Sequence, residues 1–207
     1  MSMKLMQRNP ARRNRRIGQT QGGRVQNGRA AEKWNRIFTN DIWTKLSEAN
    51  SGCIVLKENP SRGYLHPCTG EEYLSVLEEL PDAIAEPVRA IVLRRLPKLD
   101  ERKGITARKR YFCVILNSFP QSLEMSWLNT PTEAVCRHDD PWCNCWIRND
   151  SALKLVWTLE ELRRYYRYHL FLHEIGHLHQ PWTNSQRRRE QWAEGFTLSW
   201  ARKLGRL

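Results

Sequence analysis

Apolar residues recur at three- and four-residue steps through Trp34, Ile37, Phe38, Ile42, Trp43 and Leu46, the rhythm of a helix with one buried face, and stop at Asn50-Ser51-Gly52. Before Ala30 there is no such rhythm. Residues 53–56 form a short apolar run that predicts a strand, and 59–63 a loop. Thr69 and Glu72 stand at the spacing of a capping box for a helix carrying Tyr73, Leu74, Leu77 and Leu80, closed by Pro81. Val88, Ile91, Val92 and Leu96 predict another helix over about 87–96. After a charged turn around Gly104, residues 111–116 read as a buried strand. Residues 122–128 alternate and are expected to pair beside it, and 152–157 form a further strand.

A second capping box, Thr158 with Glu161, opens the longest helix, expected over about 159–179. Gln180-Pro181 closes it, because the residue before proline avoids the helical region. A last helix runs over about 186–204 to Gly205. The pattern predicts an α+β fold: a mostly helical part over 30–100, then a short mixed sheet and long helices over 105–207, in one domain over 30–207.

Composition changes this picture at the N-terminus. Of the net charge of +12, residues 1–33 hold nine Lys and Arg against Glu32 alone. Residues 1–29 have hardly any large apolar side chain, so they are expected to be a disordered basic tail. Such a tail suits nucleic acid or another polyanion as partner, or plain solvation. Residues 1–33 contain no apolar stretch of the kind a secretory signal needs, and no run reaches the roughly 18 residues of a membrane span. Six cysteines at uneven spacing do not read as a disulfide framework. A reducing, cytoplasmic setting without a membrane partner is expected.

The chemistry concentrates at His173-Glu174-Ile175-Gly176-His177. Two histidines four apart on a helix point the same way and reach one metal ion. Glu174 falls one step round, where it can take a proton from water and hand it to a leaving amine. Gly176, on the histidine side, removes a side chain that would crowd the metal or a neighbouring strand. A catalytic zinc takes three protein ligands and keeps a fourth position open. The last helix offers Glu190 and Glu194, one turn apart on one face.

A histidine motif followed by a helix reading Glu190-Gln191-Trp192-Ala193-Glu194-Gly195-Phe196 resembles the gluzincin-type zincin metallopeptidases, particularly the catalytic domain of anthrax lethal factor, over about the last 50 residues. The resemblance implies a zincin-like domain with Zn2+ on His173, His177 and Glu190, and Glu194 beside them or as an alternate ligand. It also implies Glu174 as general base in hydrolysis of a peptide or protein substrate. A nucleic-acid-associated binding or regulatory protein with a structural or degenerate zinc site is the alternative. The family has a tyrosine shortly before the ligand glutamate that can stabilise the oxyanion, whereas residues 178–189 contain none. Tyr165, Tyr166, Tyr168, His179 and the arginines at 187–189 stay open for that role. His169, two steps of four before His177, is either a supporting group or a surface histidine. Cys136, His138, Cys143 and Cys145 are candidate ligands for a second, structural metal, or free thiols.

Overall fold

Continuous apolar runs, rather than alternating ones, make the centre of the fold. The computed structural model describes Lys45 and residues 52–127, 141–142, 146–149 and 152–207. The basic tail, the helix expected from Ala30 except its helical Lys45, and Cys136, His138, Cys143 and Cys145 lie outside the described residues. The chain divides into two units, 1–51 and 52–207, and the sheets, the long helices and the histidine motif all belong to the second.

In chain order come β1 (Ile54–Lys57), β2 (Tyr64–Leu65), α1 (Gly70–Glu78), α2 (Asp82–Ala85), β3 (Ala90–Arg94) and α3 (Lys98–Arg102). These lead into β4 (Ala107–Arg110), β5 (Cys113–Asn117), β6 (Phe119–Pro120), β7 (Glu124–Trp127), β8 (Trp146–Asn149) and β9 (Ala152–Val156). The last stretch is α4 (Leu159–Tyr165), a π-helical turn (Tyr166–Leu170), α5 (Phe171–His179) and α6 (Gln186–Lys203). The architecture is mixed α and β. Among the described residues no helix is long and apolar enough to cross a membrane.

The main sheet has the order β1-β3-β5-β4. β1, β3 and β5 run parallel, and β4 lies antiparallel to β5 at the edge. The helix expected over 87–96 is instead strand β3. Ala90-Ile91-Val92-Leu93 is apolar on both faces, and all four side chains are at most 1% exposed. Helical spacing of Val88, Ile91, Val92 and Leu96 coincides with such a run, but β-branched residues buried on both sides suit a central parallel strand. The strand expected over 122–128 forms as β7 but does not pair with β5. It pairs with β9 in a separate antiparallel sheet of order β7-β9-β8, where Lys154 and Glu124 form an ion pair at 2.8 Å.

Both capping boxes form. Thr69 accepts from the Glu72 N–H while the Glu72 carboxylate accepts from the Thr69 N–H, and Thr158 and Glu161 do the same. Tyr73 of α1 packs on Phe171 of α5 with ring centroids 5.0 Å apart, so both helices share one core with Ile91, Leu93, Val114 and Leu116. Full burial of side chains such as Phe171, Leu172 and Ile175 contributes about 1.5–3 kcal/mol each. The long helix is continuous from α4 to α5, but its middle turn is π rather than α, with the Phe171 N–H bonded to the Tyr166 carbonyl. There the Tyr166 hydroxyl donates to the Asn117 carbonyl at 3.0 Å, tying the helix to the end of β5.

A buried carboxylate holds the edge strand. Asp100 of α3, 4% exposed, faces Arg94 of β3 at 3.7 Å, pairs with Arg108 of β4 and accepts from the Asn117 amide at 3.5 Å. The same amide donates to the Ile105 carbonyl at 2.8 Å, fixing the approach to β4. Removing one partner of a buried pair leaves the other charged and uncompensated. Asp100→Asn should therefore destabilise the protein by about 3 kcal/mol, measured by urea unfolding. A loss below about 1 kcal/mol, the range of an exposed pair, would show that Asp100 does not organise β4.

Candidate metal centre

The site begins with a missing side chain. A Cβ built on Gly176 of α5 would lie 3.0 Å from the Ala193 Cα, 3.2 Å from the Ala193 carbonyl oxygen and 3.1 Å from the Phe196 ring. What the glycine makes room for is helix α6, not the metal or a strand as its sequence position implied. Ala193 is itself fully buried and sits between Glu190 and Glu194. Close approach at Gly176 and Ala193 therefore brings two glutamates, one turn apart on α6, against the histidines of α5.

His173 and His177 stand one turn apart with ring centroids 4.7 Å apart. Glu190 Oε2 lies 3.3 Å from His173 Nε2 and 3.4 Å from His177 Nε2. Donor atoms bound to zinc at about 2.0–2.1 Å in a tetrahedron are roughly 3.3–3.4 Å apart, so these separations match its edges. No family model, curated protein or solved structure gives a match to this chain. The centre is therefore read from its geometry alone.

The outer nitrogens face polar groups as well, that of His177 within hydrogen-bond distance and that of His173 beyond it. His177 Nδ1 lies 2.9 Å from Gln180 Oε1, an oxygen that only accepts, so Nδ1 carries the proton and the Nε2 lone pair faces Glu190. His173 Nδ1 faces Glu194 Oε2 at 3.6 Å, and His169 Nε2 faces the same oxygen at 3.9 Å. Glu194 thus sits behind His173 while Glu190 sits in front. His169 is not a surface group: it is 2% exposed and stacks on Tyr165 with centroids 4.9 Å apart. Burial opposes charge on His173, but Glu194, Glu174 and Glu190 together outweigh it and hold its pKa above the usual value. Burial lowers that of His177, and His173 adds repulsion.

Glu174 lies beside this group under the sheet edge. Burial pushes its carboxyl up to about 7 against the opposing pull of His173 and the Lys109 backbone N–H. The N–H comes from β4, which sequence patterning did not reveal. Asn117 donates to the Thr106 carbonyl, and pairing alternates from there along the β4–β5 ladder. The backbone groups of Ala107 and Lys109 consequently point away from β5, toward the helix. Between this sheet edge and helices α5 and α6 runs a cleft of about 890 Å³, lined by His173, Glu174, His177, Glu190 and Glu194.

Of the groups left open for oxyanion stabilisation, three are turned elsewhere. Tyr166 is buried on Asn117, Tyr168 lies beneath Arg206, and His179 contacts the Ile84 carbonyl at 3.0 Å and stacks on Phe196. Tyr165 and Arg189 line the cleft, whereas Arg187 and Arg188 are exposed. Gln180 and Lys109 are the site residues that sequence reasoning missed. Gln180 was discoverable, since it follows His177 by three residues at a helix end. Lys109 was not, because only strand pairing brings it there.

Two outcomes test this geometry. Alanine normally stabilises a helix interior by about 1 kcal/mol over glycine. At Gly176 the sign should reverse: Gly176→Ala should lower the Tm and weaken metal binding together, read by calorimetry and metal titration. An increase in Tm would show that α5 and α6 are not held at that contact. Glu174 gives a pH signature in chelator-treated protein. Its folded pKa, about 7, exceeds the ordinary carboxyl value of 4.5, so its contribution is fully present below pH 4.5 and is lost as pH rises through 7. Glu174→Gln should therefore add about 3 kcal/mol of stability at pH 8 and almost none at pH 4. A pH-independent effect would place Glu174 in water.

Proposed function

We propose that this protein is a zinc-dependent metallopeptidase with the site architecture of a gluzincin-type zincin. The observation that carries the reading is that Glu190 Oε2 lies 3.3 and 3.4 Å from His173 Nε2 and His177 Nε2, two edges of a zinc tetrahedron, beside a buried Glu174. A pair of core histidines would require neither a third ligand atom at that distance nor a carboxylate held in the cleft wall. The two imidazoles and one carboxylate are a zinc donor set, with Gln180 and Glu194 orienting the rings.

Zinc, when bound, supplies a Lewis acid that lowers the pKa of water and polarises a carbonyl. Glu174 takes the proton from the attacking water and returns it to the leaving amine, so the C–N bond is replaced by a carboxylic acid and an amine. Its raised pKa suits a base that must also act as an acid near neutrality. The outward-facing N–H and carbonyl of Ala107 and the carbonyl of Lys109 offer an extended peptide a strand edge to pair with, which would lay the scissile bond along the cleft. Cys53, Cys68 and Cys113 are free thiols, in keeping with a reducing, cytoplasmic setting.

Elemental analysis and a peptide-cleavage assay test the reading together. The wild type should hold one zinc per chain. Glu190→Ala should lose most of it, and Glu194→Ala should retain it with about 10–100-fold weaker affinity. Glu174→Gln should keep the zinc and lose at least about a hundredfold in kcat. If wild-type protein purifies without zinc and takes up none from solution, the proposal is wrong.

A further inference from the structure

Among the described residues, two cations stand in the cleft with no carboxylate paired to them. Lys109 enters from β4, and its Nζ donates to the His177 carbonyl at 2.8 Å. Arg189 enters from α6, and its Nη1 donates to the Thr183 carbonyl at 3.2 Å. Both line the same cleft, and among the described residues neither has an acidic side chain within ion-pair distance. Other basic groups nearby differ. Arg108, on the same strand, is neutralised by Asp100. In a second cavity, which none of the histidines lines, Arg167 and Arg206 are paired with Glu72 and Glu79.

The acids of the cleft are occupied as well. Glu190 and Glu194 face the histidines, and Glu174 takes the Lys109 backbone N–H. Lys109 and Arg189 feel each other. Both are cations lining one cleft, Lys109 from β4 and Arg189 from α6. Like charges on facing walls are held at a cost that an anion between them would remove. The carbonyl contacts leave further N–H donors on both groups, and Arg189 presents a planar fork that matches a carboxylate.

We propose that the cleft selects peptides carrying a carboxylate next to the bond over Glu174, recognised jointly by Lys109 and Arg189. This rests on the metallopeptidase reading for peptides as the molecules that fill the cleft, but the recognition itself is a binding property. An aspartate or glutamate side chain and a free C-terminus offer the same chemistry, and the test separates them.

The experiment uses zinc-loaded, full-length Glu174→Gln protein and fluorescent pentapeptides. One pair is end-blocked with Asp or Asn at the centre. The other is pentaalanine with a free or an amidated C-terminus. The expected result is that one carboxylate peptide binds at least about tenfold more tightly than its neutral partner, with the advantage shrinking at high salt. An advantage confined to the Asp pair assigns a side-chain specificity, and one confined to the free C-terminus assigns a terminal one. Arg189→Met and Lys109→Met should each remove most of the advantage at unchanged zinc content, and Arg189→Lys should restore part of it. Equal binding within both pairs, no binding of any peptide, or an advantage that survives both Met substitutions overturns the proposal. A carboxylate preference in protein whose wild type cleaves none of these peptides would leave recognition standing and count against peptidase activity.

Discussion

The contact between Gly176 and Ala193 sets what the rest of the site can be. Two helices rarely approach this closely, because most residues place a Cβ or more between them. Here the separation is small enough for a carboxylate oxygen on one helix to sit within 3.4 Å of imidazole nitrogens on the other. Widening it by a methyl group would pull Glu190 and Glu194 away from both histidines at once. The candidate ligand atoms are therefore positioned by packing of small residues, and the polar contacts are its consequence.

The sheet contributes the second wall by a different route. β5 is fully buried and anchors the π turn through Asn117 and Tyr166, while β4 is held to it by a hairpin and by Asp100. Because β4 is the last strand, half of its backbone is left facing the helix that carries Glu174. A free edge is normally something a protein covers or charges. Here it borders the cleft and bears Lys109, so the edge is directed at the candidate centre.

Burial and charge then divide the labour among chemically similar groups. Glu190 and Glu194 are one turn apart on the same face, yet one faces the two Nε2 atoms and the other faces His173 Nδ1. Glu174 differs again, being buried enough that protonation at neutral pH is within reach. Three glutamates within one cleft thus have three environments, and their proposed roles follow from what each carboxylate faces.

Much of this protein is legible in its residue order, for reasons that are local. Capping boxes at Thr69 and Thr158, the proline stop after Gln180 and the glycine stop at Gly205 act within a few residues, and all appear where expected. The histidine pair and the acids on the last helix are also local periodicities. Residues 87–96 misled because a run buried on both faces carries no period to read, and only neighbours on each side decided that it is β3. The partner of 122–128 was equally hidden, since pairing is a long-range choice between β5 and β9. Tertiary structure alone decided that Lys109 and Arg189 share a cleft, that Gly176 faces a helix, and which glutamate meets both histidines, because each depends on how separate elements pack.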